Sequence, residues 1–404
     1  MASRRTVRSF DDIRNGLVDL RQPVLSLFSG GLDSTYLLYR LVQAGATDVH
    51  ALSVDLGGDQ AGDPHKERIA ARLGVHFHGI DQQDEFADRY VRHAIAAHAV
   101  YLDTHPVSSS LSRPIIAHTA VRVAREVGAT TVLHSANRSQ NTLRRFNGAL
   151  QLLGFPGCFG SPYDREPVDR QVKIKELRAI GLDELAERSV SGDVNLWCRE
   201  FESGALDDPE DHEVPETYYA WTARPAVPPP AEVVEIGFSG GAPVSLDGEP
   251  LPLKDIVHRL NRRVGAHGLG RYSGLEHLAG GVKVLEVREM PAAWLLLRSH
   301  RHLETAVLDA EVMREKLHIE QLWVKEALEG RWFGPLREAC QAFVSSCSGP
   351  VTGRVRWKLD GGRTETVSMT AENPLYARDR EEWEQQSIRA EFAPHAGVRT
   401  ELDY

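Results

Sequence analysis

The chain has 404 residues, 42% apolar and 26% charged, the composition of an ordinary soluble globular protein long enough for two or three domains. Its 47 basic and 57 acidic side chains leave a net charge of −10, which disfavours tRNA or DNA as a main partner. No apolar run approaches the roughly 18 residues of a membrane span, and four dispersed cysteines without C-x-x-C spacing (Cys158, Cys198, Cys340, Cys347) fit a reducing cytoplasm rather than a disulfide framework or zinc knuckle.

Met1 to Phe10 carries the pair Arg4-Arg5 with no apolar stretch behind it, and reads as a disordered basic tip rather than a secretion signal. Residues 23 to 28 read as a short buried strand, followed by a glycine turn and a helix over Asp33 to Ala44, whose Leu37, Leu38, Leu41 and Val42 fall at helical spacing. A second strand spans Val49 to Asp55. A glycine-containing loop precedes a helix around Lys66 to Leu73, a strand His76 to Ile80, helices near Asp84 to His98 and Ser110 to Val127, and a strand Thr130 to His134. Such alternation predicts an α/β fold with a parallel sheet and helices on both faces.

Proline and acid accumulate through Leu206 to Pro230, which marks a connector. Beyond it a hairpin (Val233 to Phe238, Pro243 to Leu246), a helix (Lys254 to Val264) and a strand (Val282 to Val287) are expected. Helices over Ala292 to Val307, Ala310 to Leu328 and Leu336 to Ser346 follow. Val351 to Leu359 and Thr364 to Met369 then flank a turn at Asp360-Gly361-Gly362. The tail beyond Thr370 is polar and weakly patterned. The expected division is an extension over 1–21, a nucleotide-binding domain over 22–190, an α+β synthetase domain over 191–370 and a tail over 371–404.

The sharpest chemical signal is Phe28-Ser29-Gly30-Gly31-Leu32-Asp33-Ser34-Thr35, set between strand and helix. Glycines let a backbone wrap an anion, and the N–H groups of the turn and helix N-terminus favour negative charge. Ser29, Ser34 and Thr35 add hydroxyl donors, and Asp33 is placed to cap the helix or help hold Mg²⁺. The segment matches neither a Walker A loop nor a dinucleotide fingerprint. Phe-Ser-Gly-Gly recurs at 238 to 241, but Ala-Pro-Val follows, so that copy reads as a hairpin turn.

With Ser112-Arg113-Pro114-Ile115-Ile116-Ala117, Asp193-Val194-Asn195-Leu196-Trp197, Leu206-Asp207-Asp208-Pro209, His267-Gly268-Leu269-Gly270-Arg271 and Arg331-Trp332-Phe333, the sequence resembles argininosuccinate synthase from about Val24 to Tyr376. The resemblance implies an adenine nucleotide alpha-hydrolase (HUP) type domain followed by the synthetase domain. It also implies a C–N ligase that adenylates a ureido oxygen with ATP and Mg²⁺, releases pyrophosphate, and lets an amine displace AMP. Positioning and electrostatic stabilisation should carry most of such a reaction. By resemblance, Phe28 to Thr35 hold ATP, Val54 lies near the adenine, and Ser135 lies near the ribose and phosphates. Asp33 and Ser34 stand as the catalytic candidates, and amino-acid-like small molecules as the partners. Family members assemble as tetramers partly through a C-terminal helix. A homo-oligomer, dimer or tetramer, is therefore expected, although the tail after Tyr376 is short.

The family's citrulline contacts are retained at Ser110, Asn141, Arg145, Ser191 and Glu276. His105 stands where the family has tyrosine, Glu200 replaces a serine, and Arg288 replaces a second tyrosine. In the aspartate-binding stretch Asn137 replaces a threonine and Thr142 an acid, which removes a charged hydrogen bond worth roughly 1.5–3 kcal/mol to a substrate ammonium. Glu200 and Arg288 either pair or grip a substrate unlike citrulline. These changes favour a specialised, secondary-metabolism relative over the ordinary arginine-pathway enzyme, which stays the nearest alternative. A tRNA thiolase, which would need catalytic cysteines and a basic face, and a catalytically silent regulator are the rivals of other classes. His76-x-His78 and His300-x-His302 have metal-like spacing, yet no neighbouring sequence motif completes either site.

Overall fold

The structure, a computed structural model, describes residues 6–58, 64–186, 191–202, 206, 208–278 and 281–389. Its first half is built on six parallel strands in the order Thr6–Val7, Cys158–Gly160, Thr131–Leu133, Val24–Leu27, Val49–Asp55, His76–Asp81. Successive side chains of a strand leave on opposite faces. Val24, Val49 and Ala51 therefore join Leu37, Leu38 and Leu41 of the Leu32–Gln43 helix in one core. Leu25, Leu27 and Leu52 meet the Ser109–Val127 and Asn141–Leu152 helices in another. Burial on both faces explains why these strands read as mostly apolar runs without strict alternation.

The amino end departs from the sequence expectation. Thr6–Val7 is the sheet's outermost strand, paired with Phe159–Gly160, and Phe10 and Ile13 of the short Phe10–Arg14 helix are buried. An apolar residue every third or fourth position, too brief to register as a helix, anchors this segment; residues 1–5 lie outside the described part. The 84–98 stretch is helical but is interrupted by a π segment over Ala87–Val91.

The second half contains two antiparallel sheets. One has four strands in the order Arg271–His277, Lys283–Glu289, Cys198–Glu202, Ser191–Asn195. The other has five, Glu249–Pro250, Ala242–Leu246, Glu232–Ser239, Gly353–Asp360, Arg363–Ala371. The Phe238 to Gly241 repeat is the expected hairpin turn, and Asp360 faces Arg363 across the Gly361-Gly362 turn. Helices Leu253–Ala266, Pro291–Val307, Ala310–Leu328 and Pro335–Ser348 accompany these sheets. One core cluster runs from Phe86 and Ile115 through Trp197 to Leu295, Trp323 and Trp357. The 86–115 segment, assigned by sequence to the nucleotide half, thus shares its packing with the synthetase half. The tail, expected to lack pattern, holds a helix over Arg380–Arg389 with Trp383 exposed.

Candidate active site

A cleft of about 1250 Å³ opens where the parallel strands end. Its walls include Leu27 to Ser29, Ser53 to Asp55, and His134 to Ala136, three loops at the carboxyl edge of the sheet, where open α/β folds place ligands. The facing wall is the four-stranded sheet.

On the first wall, Gly31 is the N-cap of the Leu32–Gln43 helix and no side chain caps it, so the helix N-terminus is presented to the cleft. Gly30 has φ +77°, and a Cβ there would come within 2.9 Å of Lys66 Cγ. Only glycine fits both constraints. The Ser34 hydroxyl donates to the Gly31 carbonyl at 3.1 Å and accepts from the Ser29 N–H at 3.3 Å. Thr35 Oγ1 donates to the same carbonyl at 2.8 Å and is fully buried, so it stiffens the loop rather than facing a ligand. Asp33 does not cap the helix. Its carboxylate meets Lys173 Nζ at 2.5 Å, and its carbonyl accepts from the Tyr163 hydroxyl at 2.9 Å. Val54 and Ser135 both line the cleft, while Asp55 accepts from the Gly57 N–H and from Gln83 Nε2.

The opposite wall follows from strand alternation. Register pairs Glu200 with both Asp193 and Arg288, Glu202 with Glu286, and Arg288 with Tyr272, so these side chains share one face of the four-stranded sheet. Phe201, Leu285 and Val287 take the other face, in a small core with Leu206 and Tyr219. Gly274 lies between Tyr272 and Glu276, and a Cβ there would strike the Tyr272 hydroxyl at 2.1 Å.

Glu200 and Arg288 do pair: Arg288 Nη1 lies 2.9 Å from Glu200 Oε1. The same guanidinium donates through Nε to Glu286 Oε2 at 2.8 Å and through Nη1 to the Pro106 carbonyl at 2.9 Å. Exposure of Glu200, Glu286 and Arg288 is only 5%, 4% and 2%. Burial raises both carboxyls and Arg288 offsets this only in part; burial also opposes the charge on Arg288, but the two carboxylates outweigh it and hold that guanidinium well above its ordinary value.

The retained positions cluster beside this group. Arg145, itself buried, donates to Ser109 Oγ at 2.6 Å and to the Leu328 carbonyl at 3.2 Å, and lies 3.4 Å from Glu276. Asn141 donates to Glu276 at 3.1 Å and to the His277 carbonyl at 2.9 Å. Burial works to raise the Glu276 carboxyl, but Arg145 and Arg288 outweigh it and bring it below its usual range. Ser110 is buried, its hydroxyl without a hydrogen-bond partner among the described residues, on a second cavity of about 550 Å³, which shares Asn141, Arg145 and Glu276 with the cleft. His105 also lines that cavity, its ring 4.8 Å from that of Tyr272, and burial pulls it down to about 2. Thr142 lines the cleft and accepts from Arg113 Nε at 3.4 Å. Asn137 stands apart: its side-chain Oδ1 accepts from Ser139 N and Oγ, a local turn off the cleft wall. Ser191 opens its strand, but its side chain lies outside the described part.

Sequence reading missed Glu202, Glu286 and the Arg113–Asp193 ion pair, 2.9 Å apart. The signal was present as alternation, Cys-Arg-Glu-Phe-Glu at 198–202 and Leu-Glu-Val-Arg-Glu at 285–289, which sends every second charge to one face. It also failed to see that His50 and Asp48 approach His76 and His78. His50 Nδ1 is 2.8 Å from His78 Nε2, and Asp48 is 3.0 Å from His50. Among the described residues no group of three or more such side chains has an arrangement that could hold a metal ion. His300 is buried 3.4 Å from Glu304. No described helix is long and apolar enough to cross a membrane, and all four cysteines are free thiols.

Comparison with known proteins agrees with this layout. Residues 23–154 match the family model described as the arginosuccinate synthase N-terminal HUP domain, and residues 190–395 match its C-terminal domain. The chain is 35% identical over 373 residues to an argininosuccinate synthase from Rubrobacter xylanophilus, covering 92% of this chain and 91% of that one. It is 36% identical over 361 residues to one from Symbiobacterium thermophilum, covering 87% and 88%. An NH3-dependent NAD synthetase from Campylobacter jejuni superposes with a TM-score of 0.31 at 16% identity, over 44% of this chain and 73% of the other, too slight an overlap to bear on function.

Proposed function

The chain belongs to the argininosuccinate synthase family of C–N ligases, and from that premise we propose that it is a specialised member acting on an acceptor other than citrulline. The observation that carries this reading is the buried Glu200–Arg288–Glu286 cluster on the wall facing the phosphate loop.

In this reading the uncapped helix N-terminus and the Gly30-Gly31 turn receive the triphosphate of ATP, and Lys66 and Ser34 line the same cradle. The cradle fits such a group, since it offers a bare backbone and a cleft broad enough for a nucleotide. Magnesium would enter with the phosphates and supply charge neutralisation; Asp33, in the first turn of that helix, is an acid lining the cradle and is already engaged by Lys173. An acceptor oxygen attacks the α-phosphorus, the bond to pyrophosphate breaks, and an amine then displaces AMP from the activated carbon and loses a proton. Because AMP leaves readily, the protein's own task is to align the partners and exclude water. Arg145, Asn141 and Glu276 hold one another in a fixed geometry suited to that alignment. We assign nucleotide binding to 22–190 and acceptor enclosure to 191–370 together with His105, Ser110, Asn141 and Arg145 of the first half.

The retention of Ser110, Asn141, Arg145 and Glu276 together favours the second reading, the ordinary citrulline-plus-aspartate enzyme. ATP–pyrophosphate exchange separates the two. A specialised enzyme exchanges weakly with citrulline and strongly with another acceptor; citrulline-driven exchange at ordinary family rates, with aspartate as the amine, refutes the specialised assignment.

A further inference from the structure

Beside the phosphate cleft one face of the four-stranded sheet carries more carboxylates than guanidiniums. The buried Glu200 and Glu286 and the partly buried Glu276 meet two buried guanidiniums, Arg288 and Arg145, and the half-buried Asp193 is matched by Arg113. Glu202, register partner of Glu286, adds a further carboxyl to the same wall. A buried carboxylate without its own counter-charge either takes up a proton, the direction in which burial drives Glu200 and Glu286, or is completed by a cation that arrives with the ligand and holds it ionised. Nor does it offer much to an anion. Arg288 is bracketed by Glu200, Glu286 and the Pro106 carbonyl, while Arg145 is held by Ser109, the Leu328 carbonyl and Glu276. Thr142, on the loop wall, supplies no charge of either sign.

We propose that this wall selects the acceptor by an ammonium group, and that the acceptor class is an ω-ureido amine with no carboxylate beside its nitrogen. The inference rests on the ligase reading and deepens it. An α-amino acid brings its carboxylate within one carbon of its ammonium, into the field of the excess carboxylates, whereas a simple alkylammonium meets them without that penalty. The selecting residues are Glu200 and Glu286, with Arg288 positioning both.

The test is pyrophosphate exchange with three ureido compounds of matched reach: 4-ureidobutylamine, citrulline and 5-ureidopentanoate. The amine should have the lowest KM, citrulline an intermediate one, and the carboxylic acid at least about tenfold weaker kcat/KM than the amine. Glu286→Gln should raise the KM for the amine about tenfold, leave kcat within about twofold, and shrink the gap between amine and acid. Citrulline or 5-ureidopentanoate performing as well as the amine overturns the inference while leaving the ligase reading standing. Silence with all three, with ATP still bound, overturns the inference, and silence with every other candidate acceptor as well overturns the ligase reading. If Glu286→Gln fails to fold by circular dichroism, the wild-type panel alone decides.

Discussion

Arg288→Met isolates the buried cluster from every other feature of the fold. The guanidinium serves two carboxylates, Glu200 at 2.9 Å and Glu286 at 2.8 Å, and all three groups are almost wholly out of water. Charge centres about 4 Å apart attract by roughly 4 kcal/mol each at an effective permittivity near 20. Much of that is offset by desolvation, and removing one partner of a buried pair costs about 3–5 kcal/mol in practice. The upper end is expected here, because two acids lose one cation. Both carboxyls would then hold folded-state values above their unfolded ones, near 4.5, so the folded form binds the extra proton. The sign follows: the deficit is small below about pH 4.5 and grows as pH rises toward the raised folded values. Urea denaturation followed by tryptophan fluorescence should show a larger loss at pH 8 than at pH 5.5. Replacing Glu200, Glu286 and Arg288 together by methionine should recover most of it, since an apolar set buries no charge. A loss under about 1 kcal/mol, or one that does not change with pH, would refute the reasoning.

Gly30→Ala forces a side chain into positive φ and against Lys66, and should cost on the order of 1 kcal/mol or more of stability with a larger loss of nucleotide affinity, read by ATP titration. Ser34→Ala removes the hydroxyl that ties Gly31 to Ser29 and should lower exchange at least about tenfold while the fold melts within a few degrees of wild type. Burial holds His93, His98, His105 and His134 down to about 4, 3, 2 and 4, so their ring signals should stay neutral in NMR titration from pH 7.5 to 5.5. Below about pH 6.5 the unfolded chain takes up protons that these four refuse, so each withdraws about 1.4 kcal/mol per pH unit as acidity increases. A ring that titrates near 6.5 would contradict its burial.

The middle of the parallel sheet was legible because Val24–Leu27 and Thr131–Leu133 are buried throughout and the helices carry a clear period, as in Leu37, Leu38 and Leu41; the short strands Thr6–Val7 and Cys158–Gly160 were not. The turn at Gly30-Gly31 was legible because adjacent glycines break the strand and let the backbone turn into the Leu32–Gln43 helix. Of the four-stranded sheet only Lys283–Glu289, expected as Val282 to Val287, was. Arg271–His277 reads Arg-Tyr-Ser-Gly-Leu-Glu-His, with glycine and charge where a strand would ordinarily carry β-branched residues, and only cross-strand pairing with Lys283–Glu289 makes it one. Glu200 and Arg288 stood out as departures from a resemblance, but 88 positions of sequence separate them, and their contact depends on a register that no local pattern encodes. The Asn141–Leu152 helix escaped because Gln140 offers no capping bond and its polar face, with Asn141 and Arg145, points into the site rather than to water.

The outermost strand Thr6–Val7, two residues long, has a practical corollary. Trimming the amino end through Arg14 would strip Val7, Phe10 and Ile13 from the hydrophobic interior and leave the Cys158–Gly160 backbone as a naked rim, ready to recruit another molecule's strand. Shortened versions of the protein should clump at concentrations where the full chain stays dispersed, while a tag placed ahead of Thr6 should be harmless.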